Sequence, residues 1–164
     1  MKVLKFGGTS VGSIENIQNV KNIVNDGEKQ VIVLSAMSGT TNALVSIANN
    51  IAEKSVNDAT ETINKLHEKY FEVIDSLLQN KAINEEAKNY VTGIFNFLLE
   101  CTYKTYSQTL ANEIVAQGEL MSTFMFNGYL KQEGISSALL PALDFMRIDG
   151  AKEPNMDYIK SNLS

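Results

Sequence analysis

Two short β-branched segments, each running into a loop of small residues and then a helical stripe, constrain this chain more than anything else in it. Lys2-Val3-Leu4-Lys5-Phe6 alternates polar and apolar residues and meets Gly7-Gly8, which reads as a strand entering a loop. From Ile14, apolar residues recur at Ile17, Val20, Ile23 and Val24, a helical stripe that stops at Asn25-Asp26-Gly27. Val31-Ile32-Val33-Leu34 is a continuous apolar run, of the kind buried on both faces of a parallel sheet. It ends in Ser35-Ala36-Met37-Ser38-Gly39-Thr40-Thr41-Asn42, and a second stripe follows through Leu44, Ile47, Ala48 and Ile51. Strand, loop and helix, repeated, make two βα units and place the chain among α/β proteins.

The middle is helix-rich. Residues 57–131 hold no convincing strand. One stripe runs through Ile63, Leu66, Tyr70, Val73 and Leu77, and a second through Ala87, Tyr90, Val91, Ile94, Leu98 and Cys101. A third takes Leu110, Ile114, Val115, Met121 and Met125. These predict three long helices, with breaks at Asn80-Lys81 and between Thr105 and Thr109. Both prolines, Pro141 and Pro154, fall late, so none of this is forced out of helix. Gly134 closes the third helix, Ile135–Leu140 reads as another strand, and the tail has a turn at Asp149-Gly150 and one short helix after Pro154. Three strands are few for a doubly wound sheet, which usually carries about five or more. With the chain stopping at Ser164, the expectation is a truncated domain.

Composition narrows the partners. A length of 164 residues fits one domain at roughly 150 residues each, and 44% hydrophobic with 20% charged residues is ordinary globular usage. Net charge is −5, and Arg147 is the one arginine among 14 basic residues. Nucleic acid and anionic membrane surfaces both need clustered positive charge, and are excluded as partners. Cys101 and His67 are single, so neither an internal disulfide nor a metal cluster is available. The start is no signal peptide, and no stretch reaches the roughly 20 apolar residues of a membrane span. The chain reads as soluble and cytoplasmic.

Three places could carry chemistry. Lys5-Phe6-Gly7-Gly8-Thr9-Ser10-Val11-Gly12-Ser13 joins the first strand to the first helix. Paired glycines let backbone N–H groups approach a ligand, the helix N-terminus adds partial positive charge, and a strand-end lysine adds a full one. A phosphate site needs these parts, although the spacing is neither the Walker sequence nor the dinucleotide fingerprint. The bland alternative is a tight strand-to-helix turn. The Ser35–Asn42 loop lies at the carboxyl end of the second strand, where ligands of open α/β sheets gather. Ser35, Ser38, Thr40, Thr41 and Asn42 suit a small polar substrate, or one of them caps the next helix. Third, Gly118-Glu119 falls inside the third long helix. A mid-helix glycine costs roughly 1 kcal/mol against alanine and often marks close approach by a ligand or another backbone. No lysine or arginine lies between Lys104 and Lys131, so Glu119 has no cation at helix spacing and is free for a substrate ammonium; otherwise it is a solvated surface glutamate. His67 reads as a helix-flank residue, Cys101 as a small buried hydrophobe, and the charges of residues 53–90 as a solvated face.

Together the three loops resemble one family. Lys5-Phe6-Gly7-Gly8-Thr9-Ser10-Val11 is similar to the opening of an aspartate kinase, Ser35–Asn42 to that family's second loop, and Gly118-Glu119-Leu120-Met121-Ser122 to its glycine-glutamate segment. The resemblance covers the whole chain, but about the N-terminal half of the family's catalytic domain. It implies the amino acid kinase fold, a three-layer αβα sandwich around a mostly parallel sheet, here truncated to an acceptor-binding part spanning 1–164. The nucleotide lobe, with its second glycine-rich phosphate loop, and the ACT domains would lie beyond. The implied reaction transfers the ATP γ-phosphoryl group, with Mg²⁺, to L-aspartate, giving 4-phospho-L-aspartate on the route to lysine, threonine and methionine. By position, Lys5 resembles the lysine that neutralises the transferring phosphate, with Phe6, Gly7, Gly8 and Ser10 beside it. Thr41 and Glu119 resemble aspartate-binding residues, with Ser35 and Ser38 as further possibilities, and the enzyme is expected to be a homo-oligomer. One departure is that the family's Asp-x-Arg is replaced by Pro141-Ala142-Leu143-Asp144-Phe145-Met146-Arg147, which leaves Asp144 and Arg147 without a role. The alternatives are another amino acid kinase, a bifunctional aspartate kinase–homoserine dehydrogenase, and a non-catalytic binding or assembly module.

Overall fold

The computed structural model describes residues 1–150 and 153–163. Strand β1 (Lys2–Phe6) leads into helix α1 (Ile14–Val24), strand β2 (Gln30–Leu34) and helix α2 (Thr40–Ala52). Three long helices follow, α3 (Val56–Leu77), α4 (Lys81–Cys101) and α5 (Gln108–Gln132), then the short α6 (Ala142–Phe145) and α7 (Met156–Asn162). β1 and β2 pair in parallel, with Lys5 opposite Val33 and Phe6 opposite Leu34. Ser35 N–H continues the ladder by donating to Phe6 O at 3.0 Å. Both strands therefore deliver their carboxyl ends, and their loops, to the same edge.

The helix starts follow the polar punctuation. Ser13 accepts from Asn16 N, Asn80 from Ala82 and Ile83 N, and Ser107 from Leu110 N, each satisfying donors that a first turn leaves open. The bundle of α2 to α5 encloses the core. Tyr70, Phe95, Ile114 and Met121 are fully buried there, Tyr70 meets Phe95 edge-on, and Tyr90 stacks on Phe124 with ring centroids 3.8 Å apart. His67 packs against Phe71 and Phe95. Cys101 is buried, and burial pushes its thiol pKa up.

Two expectations fail. The β2 run is not buried on both faces: Val31 is 37% and Val33 43% exposed, and Val3 beside them 65%. Leu4, Phe6, Ile32 and Leu34 alternate with these residues and pack inward, and no described element covers the other face. Ile135–Leu140 is not a strand. Its residues alternate half-buried and exposed as a strand's would, but it has no partner strand among the described residues, and without one an alternating sequence forms no ladder. The expected tail turn is present at Gly150. It lies within a bridge of Ile148 to Pro154, and Arg147 sits 4.2 Å from the Tyr158 ring centroid. Asp144 falls in α6. Ser164, the expected point of truncation, lies outside the described residues.

Candidate functional site

The site grows from the two strand ends. After β1, the chain turns at Gly7, whose carbonyl accepts from Ser10 N at 2.9 Å, and Asn16 of α1 ties the loop down by donating to Thr9 O at 2.8 Å. Lys5 is exposed, on the same sheet face as Val3 and Val33, and its side chain makes no hydrogen bond or ion pair among the described residues. A side chain added at Gly7 would meet nothing within 4 Å. At Gly8 it would come 2.9 Å from Ala36 O, and at Gly12 2.8 Å from Ser38 Cβ. Those distances are too short for a real Cβ, so these two glycines let the first loop lie directly against the second. The two loops share one edge, as their positions at the strand ends predict.

The second loop is gripped from both sides. From α5, Ser122 Oγ donates to Ser35 O at 2.8 Å, and Glu119 Oε1 accepts from Ala36 N at 3.4 Å. From α3, Lys69 Nζ donates to Ser38 O at 2.6 Å, and Tyr70 and Thr40 share a buried hydroxyl hydrogen bond of 3.1 Å. Burial pushes the Tyr70 phenol pKa up to about 12; the Thr40 bond opposes the shift and the Glu119 carboxylate adds to it. Gly118 explains how α5 comes so near. A Cβ there would be 2.7 Å from Ala36 Cβ and 3.2 Å from Thr40 Cγ2. The mid-helix glycine thus serves packing of helix on loop.

The hydroxyl residues divide. Capping does not explain them, because the residue before α2 is Gly39, at φ +81, with no side-chain cap. Thr40 is buried against Tyr70, whereas Ser38, Thr41 and Asn42 are exposed at the loop and first turn. Glu119 is exposed yet anchored to Ala36: it has no cation at helix spacing, and its partner is a backbone N–H 83 residues away. Sequence reasoning missed Lys69 and Tyr70. Tyr70 falls on the α3 core stripe and Lys69 among the charges assigned to a solvated face, and nothing local marks either as touching a loop.

Comparison with known proteins gives the family of the chain. The amino acid kinase family model matches residues 1–162, and the chain belongs to that family. Within it, the relatives are aspartokinases. The chain is 30% identical over 158 residues to the lysine-sensitive aspartokinase 3 of Escherichia coli, covering 94% of this chain and 34% of that protein. It is 50% identical over 58 residues to a Pseudomonas aeruginosa aspartokinase, covering 33% of this chain and 14% of that one. The solved structure of E. coli aspartokinase III with aspartate and ADP superimposes with a TM-score of 0.82 at 26% identity, covering 99% of this chain and 36% of that one. The fold is therefore the amino acid kinase fold, helix-rich here with a small parallel sheet. The chain spans about a third of the length of the E. coli relative.

Proposed function

We propose that this chain is the acceptor-binding part of an aspartate kinase, which transfers a phosphoryl group from ATP to the side-chain carboxylate of L-aspartate and so opens lysine, threonine and methionine synthesis. The observation that carries this reading is the seating of the lysine–glycine loop on the Ser35–Asn42 loop, with the Glu119 carboxylate bonded to Ala36 N beside it. The likeness to an aspartokinase solved with aspartate and ADP supports it.

The residues fit the phosphate end of ATP: Lys5 is an unpaired cation, and the side of Gly7 where a Cβ would stand is open. ATP, when bound, supplies the phosphoryl group. Lys5 neutralises charge there, with the Phe6 backbone and Ser10 beside it, while Gly7 leaves room for backbone N–H groups and Gly8 brings the second loop alongside. Thr41 and Glu119, with Ser35 and Ser38 nearby, hold the amino acid, Glu119 taking its ammonium. The acceptor carboxylate is already an anion, so positioning and charge neutralisation suffice and no general base is needed. Mg²⁺ would come with the ATP phosphates, which supply much of its oxygen coordination in kinase sites. Self-association belongs to the same proposal, supported by the exposed Val3, Val31 and Val33.

The test is a coupled assay of ADP release with the protein translated from its complete reading frame, offering aspartate, glutamate, N-acetylglutamate and a nucleoside monophosphate, with hydroxamate trapping of the acyl phosphate formed from the carboxylate acceptors. Aspartate alone should give product. Residues 1–164 assayed alongside should give none, while calorimetry shows whether they bind aspartate. Preference for another acceptor overturns the substrate assignment, and turnover by residues 1–164 within about tenfold of the longer protein overturns the division of roles.

A further inference from the structure

Lys69 and Tyr70 are neighbours on α3, and both reach the second loop, yet their bonds do different things. Tyr70 holds a side chain, Thr40 Oγ1. Lys69, half-buried as a residue, holds the backbone: its ammonium donates to Ser38 O at 2.6 Å, the carbonyl of the peptide that enters Gly39. Gly39 has φ +81, and glycine occupies positive and negative φ almost equally well. Nothing in the residue itself therefore fixes how the Ser38–Gly39 peptide is turned. The peptide is trans, so drawing its carbonyl toward α3 aims the Gly39 N–H the opposite way. That N–H has no partner among the described residues. Thr40 N, one residue on, is already committed to Met37 O at 3.0 Å.

We propose that Lys69 is a positioning residue for the acceptor: by holding Ser38 O it turns the Gly39 N–H outward, beside the exposed Thr41, as a donor for a carboxylate of the amino acid substrate. The inference rests on the acceptor reading above and adds a residue that touches neither reactant. Its effect falls on acceptor affinity, because a misturned peptide removes a donor without disturbing Lys5 or the first loop. Arginine can donate to the same carbonyl; methionine keeps the stem and loses the donor.

In the protein translated from the complete reading frame, Lys69→Met should raise the KM for aspartate about tenfold, with kcat and the KM for ATP changed by less than about twofold. Lys69→Arg should stay within about threefold of the unaltered enzyme. The Ser38 carbonyl carbon and Gly39 amide nitrogen resonances should shift in Lys69→Met, where the peptide turns, and stay in place in Lys69→Arg. An aspartate KM unchanged in Lys69→Met, a loss confined to kcat, or failure of arginine to restore it overturns the proposal. If the unaltered protein phosphorylates no aspartate, the acceptor reading falls and the resonance measurement alone judges the brace. Equal Ser38 and Gly39 resonance positions in all three proteins overturn the proposal even where the kinase reading stands.

Discussion

The two loops at the strand ends are built from similar residues, small and polar with glycines, but are finished very differently. The Ser35–Asn42 loop is held by two helices, through Ser122 and Glu119 on one side and Lys69 and Tyr70 on the other. The Lys5–Ser13 loop is tied by Asn16 and rests on its neighbour, while Lys5 has no partner and the sheet face it shares stays open. One loop is complete within this chain. The other has a bare side, and bare polar groups beside a glycine are what a ligand requires. The contrast teaches that hydrogen-bond closure, more than composition, separates a pre-set recognition surface from one awaiting a charged partner.

Four experiments would break or sharpen that contrast. The largest effect is expected at the open loop: Lys5→Met in the protein from the complete reading frame should lower turnover roughly 10²–10³-fold, the usual loss for one preorganised electrostatic donor, with little change in melting temperature. Unchanged turnover removes Lys5 from the phosphate site. On the closed side, Gly118→Val should shift the urea midpoint by the equivalent of about 2–3 kcal/mol, because its Cβ falls 2.7 Å from Ala36 Cβ. A midpoint that stays put means that helix and loop separate easily, and the grip is weaker than its geometry.

A third test uses pH. Unfolded tyrosine ionises near 10 and Tyr70 at about 12, so its contribution is whole below pH 10 and is lost as pH rises toward 12. The lost share is about 2–3 kcal/mol. Tyr70→Phe should start less stable, since it strands the buried Thr40 hydroxyl, yet decline less over that window. Parallel declines would show that the phenol is not shielded. The smallest effect is a pair at the first loop. Gly7→Ala should cost under about 0.5 kcal/mol. Gly8→Ala, aimed 2.9 Å from Ala36 O, should cost about 1–2 kcal/mol. Equal costs would erase the difference between the loop's open and closed sides.

Much of this was legible because it is local. Ser13, Asn80 and Ser107 announce helix starts through their own side chains, and the stripes of α3 and α4 repeat at helical spacing. The loops at the strand ends follow from βα topology alone. What escaped depends on distant partners. Val31 and Val33 look buried because a valine run carries no record of whether a second layer covers it. Ile135–Leu140 has the alternation of a strand, but a strand exists only with a neighbour. Lys69 was assigned to solvent since its reach to Ser38 spans 31 residues. Gly118 marks a place of close approach, although what comes near is neither a ligand nor a backbone but the side chains of Ala36, Thr40 and Leu44.

The parallel register, with Lys2 opposite Gln30 and Phe6 opposite Leu34, also bears on how the molecule assembles in time. Pairing these strands means closing a long segment that includes α1, an entropic cost met before any ladder bond rewards it. Antiparallel neighbours such as α3 and α4, joined by a short turn, gain their contacts at little such cost, and local contacts form fast. The helical bundle is thus expected to assemble first and to present α3 and α5 as a ready cradle. The loop between β2 and α2 settles into it when the strands zip. Recognition chemistry would be the last thing this chain acquires as it folds.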